Sequence, residues 1–167
     1  MGDLTEALSN METPQEMIRL RRTERGIERQ ALAEAIGVSE QDVWDLESNC
    51  DELEICFSLR QVFGLTQTLG FSRPSDLFDA DFCGQPIGFG VLREKVSGAI
   101  LAHGVKFEDE IGWAIQSNFD TLSGVVDSFP VIFVQRLCAR LSVSWLAALN
   151  GLFADHVAAN RVGNDVD

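Results

Sequence analysis

The side chains best suited to covalent or metal chemistry are four thiols and two imidazoles, and their spacing supports neither. Cys50, Cys56, Cys83 and Cys138 contain no C-x-x-C pair, and with only His103 and His156 no zinc spacing arises. The cysteines read as small buried hydrophobes in a reducing cytosol. Glu108-Asp109-Glu110 is a run of carboxylates, best placed in the first turn of a helix, where the dipole favours negative charge. His103, directly before Gly104, suits a helix C-terminus by the same argument. Gly84, Gly88 and Gly90 lack the spacing and context of a phosphate loop. No base–nucleophile pair, metal cluster or phosphate cradle is assembled, so the chain reads as a non-enzyme with no cofactor and no metal.

Charge is the next constraint. The 167 residues hold 13 basic and 26 acidic side chains, a formal net charge of −13. Divided after Arg73, the first part carries 7 basic and 14 acidic residues and the second 6 and 12, so neither half is basic. Neutralising phosphates supplies most non-specific affinity for nucleic acid. A chain this acidic needs a local basic patch to do so, and Arg19, Arg21, Arg22, Arg25 and Arg29 are the residues available for one. A basic protein partner suits the charge at least as well. Hydrophobic residues make up 46% and charged residues 23%, a soluble globular balance. No charged-then-apolar leader opens the chain and no apolar run is long enough to span a bilayer, so a cytoplasmic location and no membrane partner are expected.

The elements that must position these charges are helices. Residues 1–12 form a polar arm. Thr13-Pro14-Gln15-Glu16 places a capping threonine, a first-turn proline and a glutamate three residues on, a strong helix start. The helix after it is expected to turn Met17 and Leu20 inward and its arginines outward, with Gly26 ending it. Glu28–Ile36 follows, closed by Gly37. Ser39 caps a third helix from Glu40 to about Ser48. A fourth is expected over Leu53–Phe63, with a turn at Gly64-Leu65-Thr66 and a short helix after it. Residues 74–90, rich in proline and glycine, read as a linker. The second half is expected to be helical over Val91–His103, Phe107–Gln116, Asp120 or Thr121 to Asp127, Val131–Leu141 and Trp145 to about Asn160, with a polar tail over 161–167. A shift of 78 positions aligns Gly104-Val105 with Gly26-Ile27 and 141–144 with 63–66. That spacing admits either a second, degenerate copy of the first unit or an unrelated helical domain.

The motif that organises the first half is Ile18-Arg19 with Leu20, then Gly26-Ile27, Leu32-Ala33, Ile36-Gly37-Val38-Ser39, Val43 and Leu46-Glu47. It resembles the Cro/cI-type (XRE-family, lambda-repressor-like) helix-turn-helix over residues 13–69. The resemblance implies an all-α fold: a four- or five-helix domain over 13–73, followed by a second helical domain over 91–160. Leu32, Ile36, Val38, Val43 and Leu46 form one small core, and Gly37 takes the sharp turn. In this family the start of the second helix grips phosphate and the third helix enters the major groove. Carried over, that face comprises Arg22, Arg29, Ser39, Glu40, Gln41, Trp44, Asp45 and Asn49. Gln41 would pair with adenine and Glu40 would accept from cytosine.

The chain departs from the pattern where charge matters. Glu40, Asp42, Asp45 and Glu47 lie on or beside the third helix, and Glu28 stands where the family usually has serine. These carboxylates would meet phosphates spaced one per ~1.7 Å of duplex axis. Trp44 is either a partly buried core residue or an exposed anchor for a protein. Two functions therefore stand: a DNA-binding transcriptional regulator whose C-terminal half oligomerises or senses, or an acidic protein-interaction module, such as an antitoxin, immunity protein or adaptor, that has lost DNA binding. The apolar richness of residues 131–153 adds the expectation of a homodimer through the last helix. Sedimentation at tens of micromolar would then give a dimer, and a monomer would remove that expectation.

Overall fold

Helices account for all the regular structure seen in the computed structural model, which describes residues 13–49, 51–103, 115 and 118–164. Among the described residues the order is α1 (Pro14–Glu24), α2 (Arg29–Ile36), α3 (Glu40–Ser48), α4 (Glu52–Ile55), α5 (Leu59–Thr68), a 3-10 turn (Pro74–Leu77), α6 (Phe89–His103), α7 (Leu122–Ser128), α8 (Val131–Leu141) and α9 (Trp145–Asn164). The expected all-α class is the observed one. The N-terminal arm and, apart from Ile115, the helix expected over Phe107–Gln116 lie outside the described residues.

Helix starts follow local capping chemistry. The Glu16 carboxylate accepts from the Thr13 backbone N–H at 3.0 Å, with Pro14 at the first helical position. Ser39 Oγ accepts from Asp42 N at 3.1 Å while Asp42 Oδ2 accepts from Ser39 N at 2.8 Å, a reciprocal box that fixes the start of α3. Gly37, at φ 72°, ends α2 in the left-handed region and lets α3 turn sharply away. Leu32, Ile36, Val43 and Leu46 are buried between these helices, with Val38 packed against them, as the spacing required.

Several expectations are corrected. In α1 Ile18 is buried and Met17, as expected, is half-buried against the core, while Leu20 is 42% exposed and Arg22 turns inward in its place. The register follows because Arg22 has an acidic partner inside. The fourth helix is split: α4 lasts one turn, Cys56 and Phe57 break it, and Ser58 recaps the chain through Gln61, whose Oε1 accepts from Ser58 N at 2.9 Å. α5 then runs unbroken through Gly64, which is no turn. A Cβ at Gly64 would sit 3.2 Å from Ile36 Cγ2, so glycine there lets α5 lie close on α2. Residues 161–164 continue α9 instead of fraying. Cys56 and Cys83 are exposed and only Cys138, of the three described cysteines, is buried.

The alignment at 78 residues fails at its far end. It places residues 141–144, where α8 ends at Ser142 in the left-handed region, on residues 63–66, which lie inside α5. Positions 104 and 105 of that alignment lie outside the described residues.

A single hydrophobic core draws on both halves of the chain, from Ile18 to Leu152. The segment expected as a linker is docked into the seam between them. Pro74, Ser75 and Leu77 are buried. Ser75 N donates to Asn150 Oδ1 at 3.0 Å and Asn150 Nδ2 donates to Ser75 Oγ at 2.9 Å, so this buried polar pair is mutually satisfied. Phe78 stacks edge-on against Trp145 with centroids 5.2 Å apart. Ile87 N donates to the Ala147 carbonyl at 2.8 Å, and Asp155 Oδ2 accepts from Phe89 N at 2.7 Å at the start of α6. Elsewhere on the seam, Leu59 N donates to Phe129 O at 2.8 Å, Arg60 pairs with Asp127, and Phe63 meets Phe153 at 5.3 Å. Val131, Phe133, Val134, Leu137, Leu146 and Leu149 are buried within the chain, while Ile132, Leu141, Trp145 and Phe153 are partly buried.

Two glycines should respond with opposite sign. A Cβ at Gly98, on α6, meets nothing within 4 Å, whereas one at Gly151, on α9, overlaps the Ile87 carbonyl. Gly98→Ala is expected to raise Tm by roughly 2–4 °C, from about 1 kcal/mol of recovered helix propensity. Gly151→Ala must displace the strap from α9 and is expected to cost about 1–3 kcal/mol by thermal or urea unfolding. Equal effects at the two sites would contradict the close packing of residues 87–88 on α9.

Candidate binding face on α3

Glu47 fixes the geometry of the first three helices. It lies on α3 four residues beyond buried Val43, and its side chain is 2% exposed. Arg22, from α1, reaches it through Nε at 2.5 Å and Nη2 at 3.4 Å, and donates its Nη1 to the Ile27 carbonyl at 2.8 Å. Arg29, the first residue of α2, reaches Glu47 Oε2 through Nε at 2.7 Å. Burial alone would push the Glu47 carboxyl upward. The hydrogen bonds from Arg22 and then Arg29, with the charges behind them, outweigh burial and hold it below the usual carboxylate range.

This arrangement decides what the two arginines can do. Arg22 is 12% exposed and Arg29 37% exposed, and both guanidinium groups end on the same carboxylate. The trio keeps one net positive charge. Glu28 is exposed just before α2, and Glu40, Asp42 and Asp45 lie on α3. From residue 30 to residue 59 the chain carries eight carboxylates and no lysine or arginine. No cation lies on α3 itself.

The other expected face residues come together on α3. Glu40 and Gln41 are exposed on its first turn, Trp44 is exposed and Asp45 half-buried on the next, and Asn49 follows its last residue. Gln41 Nε2 donates to Asp45 Oδ1 at 3.1 Å, so these two are tied to each other along the helix surface. Ser39 is occupied as the cap, and its hydroxyl and backbone N–H hold the Asp42 carboxyl below its ordinary range. Trp44 is 49% exposed, which settles it as a surface residue rather than a core one. Ser48 Oγ donates to the Trp44 carbonyl at 2.7 Å.

Two features escaped the sequence reading. One is the double engagement of Glu47, signalled only by its place on the buried stripe with Val43. The other is a depression of about 370 Å³ beside the end of α3, lined by Ser48, Asn49, Asp51, Glu52, Ile55 and Cys56. Ile55 there is 56% exposed. The Cys56 thiol donates to Glu52; that bond, burial and the nearby charges of Glu52 and Asp42 raise its pKa, so it stays protonated and is a poor nucleophile near neutral pH. The face is thus acidic, with two exposed apolar side chains, and carries no activated nucleophile among the described residues. No group of three or more His, Cys, Asp or Glu side chains is placed to hold a metal among those residues.

Removing the central carboxylate leaves two arginines facing a neutral acceptor. Glu47→Gln is expected to cost about 3 kcal/mol at pH 7, read from urea unfolding. The folded-state pKa of Glu47 is lowered, so its contribution is present above the unfolded value of about 4.3 and is lost as pH falls through the folded one. The gap between wild type and Glu47→Gln should therefore narrow on acidification below about pH 4.3. A gap that stayed constant down to pH 3 would show that the ion pairs do not stabilise the fold.

The chain matches no known family model, no curated protein and no solved structure.

Proposed function

We propose that this chain is a helix-turn-helix-type protein-interaction module, whose α3 face docks a basic protein surface in place of duplex DNA. The observation that carries this reading is the charge balance around α3: surface carboxylates at Glu28, Glu40, Asp42 and Asp45, against arginines Arg22 and Arg29 that both end on Glu47. A duplex would confront those carboxylates with its phosphates. A Lys/Arg-rich surface meets the same carboxylates with attraction, and complementary charge raises the rate of encounter. Trp44, exposed on the same helix as Glu40, Asp42 and Asp45, supplies a large amphipathic anchor, the residue type most often dominant in protein interfaces. Ile55 and the depression beside it extend the contact past the end of α3. The partner is thus a positively charged protein segment with an apolar side chain for Trp44 to cover.

A second reading keeps the DNA-binding regulator. The sharp turn at Gly37 and the exposed Gln41 on the first turn of α3 favour it, since both are what the helix-turn-helix resemblance requires of a groove-reading helix.

Titration with a Lys/Arg-rich helical peptide, followed by tryptophan fluorescence, separates these readings. The peptide should bind with an affinity that falls as salt rises. Trp44→Ala and Asp45→Lys should each weaken binding at least tenfold while leaving the unfolding midpoint near that of the wild type. Should the peptide fail to bind at low salt while duplex DNA binds, with that binding reduced by Gln41→Ala and Arg29→Ala, the regulator reading replaces the first.

A further inference from the structure

A groove of about 710 Å³ opens between the end of α5, the 83–86 strap and α9. This is within the size range of pockets that take small organic ligands. Its charge is the reverse of the rest of the protein. Arg73 and Arg161 line it, and no described lining residue is acidic; with Asp76 paired to Arg73 the three side chains keep one net positive charge, in a chain with twice as many acidic as basic side chains. Arg73 Nε is anchored on Asp76 Oδ1 at 2.8 Å, which fixes its direction and leaves its terminal amino groups as donors. Arg161 enters no ion pair among the described residues. The wall between them is apolar: Pro86 on the strap and Phe153, Val157 and Ala158 on α9. On its floor Asn150 is hydrogen-bonded to Ser75, and α9 lies so close to the Ile87–Gly88 backbone at Gly151 that a Cβ there would overlap it.

We propose that this groove binds a small organic anion, an acidic headgroup on a short apolar or aromatic body. The two guanidinium groups take the headgroup, since arginine pairs bidentately with both carboxylate and phosphate. Phe153 and its apolar neighbours cover the body. Gln67 and Gln85, also on the lining, offer amides to the rim of the ligand. Because the walls come from α5, the strap and α9, an occupant touches both halves of the chain at once and stabilises their docking by mass action. This site is separate from the α3 face, and the proposal stands whichever reading of that face holds.

Cys83 lies in the lining and is exposed, whereas Cys56 is exposed beside α3 and Cys138 is buried with its thiol pushed up to about 12 by burial. Alkylation by neutral iodoacetamide, mapped by peptide mass spectrometry on the full chain, therefore reads the groove with an internal control. Phenyl phosphate and hexanoate at millimolar concentration are the probes, and uncharged hexanamide is the comparison. Protection of Cys83 at least fivefold by one or both anions, with Cys56 unaffected and hexanamide inert, is the expected result. Protection by phenyl phosphate alone would assign the headgroup as phosphate, and by hexanoate alone as carboxylate. Arg161→Glu, on the exposed side of α9, should abolish protection without changing Tm; Ala158→Trp should do the same by filling the groove. Equal protection of Cys83 and Cys56, protection by hexanamide, no protection by either anion, or protection that survives Arg161→Glu would each overturn the proposal.

Discussion

A single buried carboxylate holds the first three helices in register. Glu47 sits where α1, α2 and α3 converge, and two arginines from different helices converge on it. A buried charge in this position is costly unless its hydrogen bonds are complete. Here they are supplied by Arg22 and Arg29, and Arg22 closes its own shell on the Ile27 carbonyl. The consequence reaches the surface. Two arginines that a sequence reader would assign to a phosphate-facing edge end on a buried carboxylate, and α3 itself carries acidic side chains and no cation. The same interaction that orders the fold thereby sets the sign of the face.

The second constraint is the seam between the halves. Residues 74–90 do the work of a clasp: a buried 3-10 turn, an Asn–Ser pair, an aromatic contact and a backbone hydrogen bond to α9 all fall within it. His156 lies on the same seam, against Phe63, with its ring nitrogen within hydrogen-bonding distance of Asn160. Burial and the charge of Arg60 lower its pKa, with Asp127 opposing them. The halves share one core, so a ligand or partner that engages either side acts on a continuous body. The groove beside Arg73 and Arg161 lies on this clasp, far from the acidic helix in the order of the chain and opposite to it in charge.

Much of the first half was legible because its signals are local. Thr13-Pro14 with Glu16, Gly37 and Ser39 fix helix ends through bonds that span three or four residues, and they placed α1 and α3 to the residue. Trp44 was legible as an anomaly, though not as a surface residue. What sequence could not show depended on distant partners. Arg22 reads as an exposed arginine until Glu47, 25 residues on, is known to face it. Gly64 reads as a turn until Ile36 is seen against it, and Pro74 to Gly90 reads as a linker because proline and glycine signal irregular backbone whether it is free or docked. The split of α4 from α5 had a local sign, Ser58 followed by Gln61, which the apolar residues recurring across Leu53–Phe63 concealed.

Backbone amide chemical shifts of the ¹⁵N-labelled chain, recorded in parallel titrations with a Lys/Arg-rich peptide and with a random-sequence duplex at low salt, test the account most directly. The account predicts peptide-induced shifts confined to residues 39–56, with the Trp44 indole among the largest, and none with the duplex. Duplex-induced shifts on α3 and at Arg29, with the peptide silent, would contradict it.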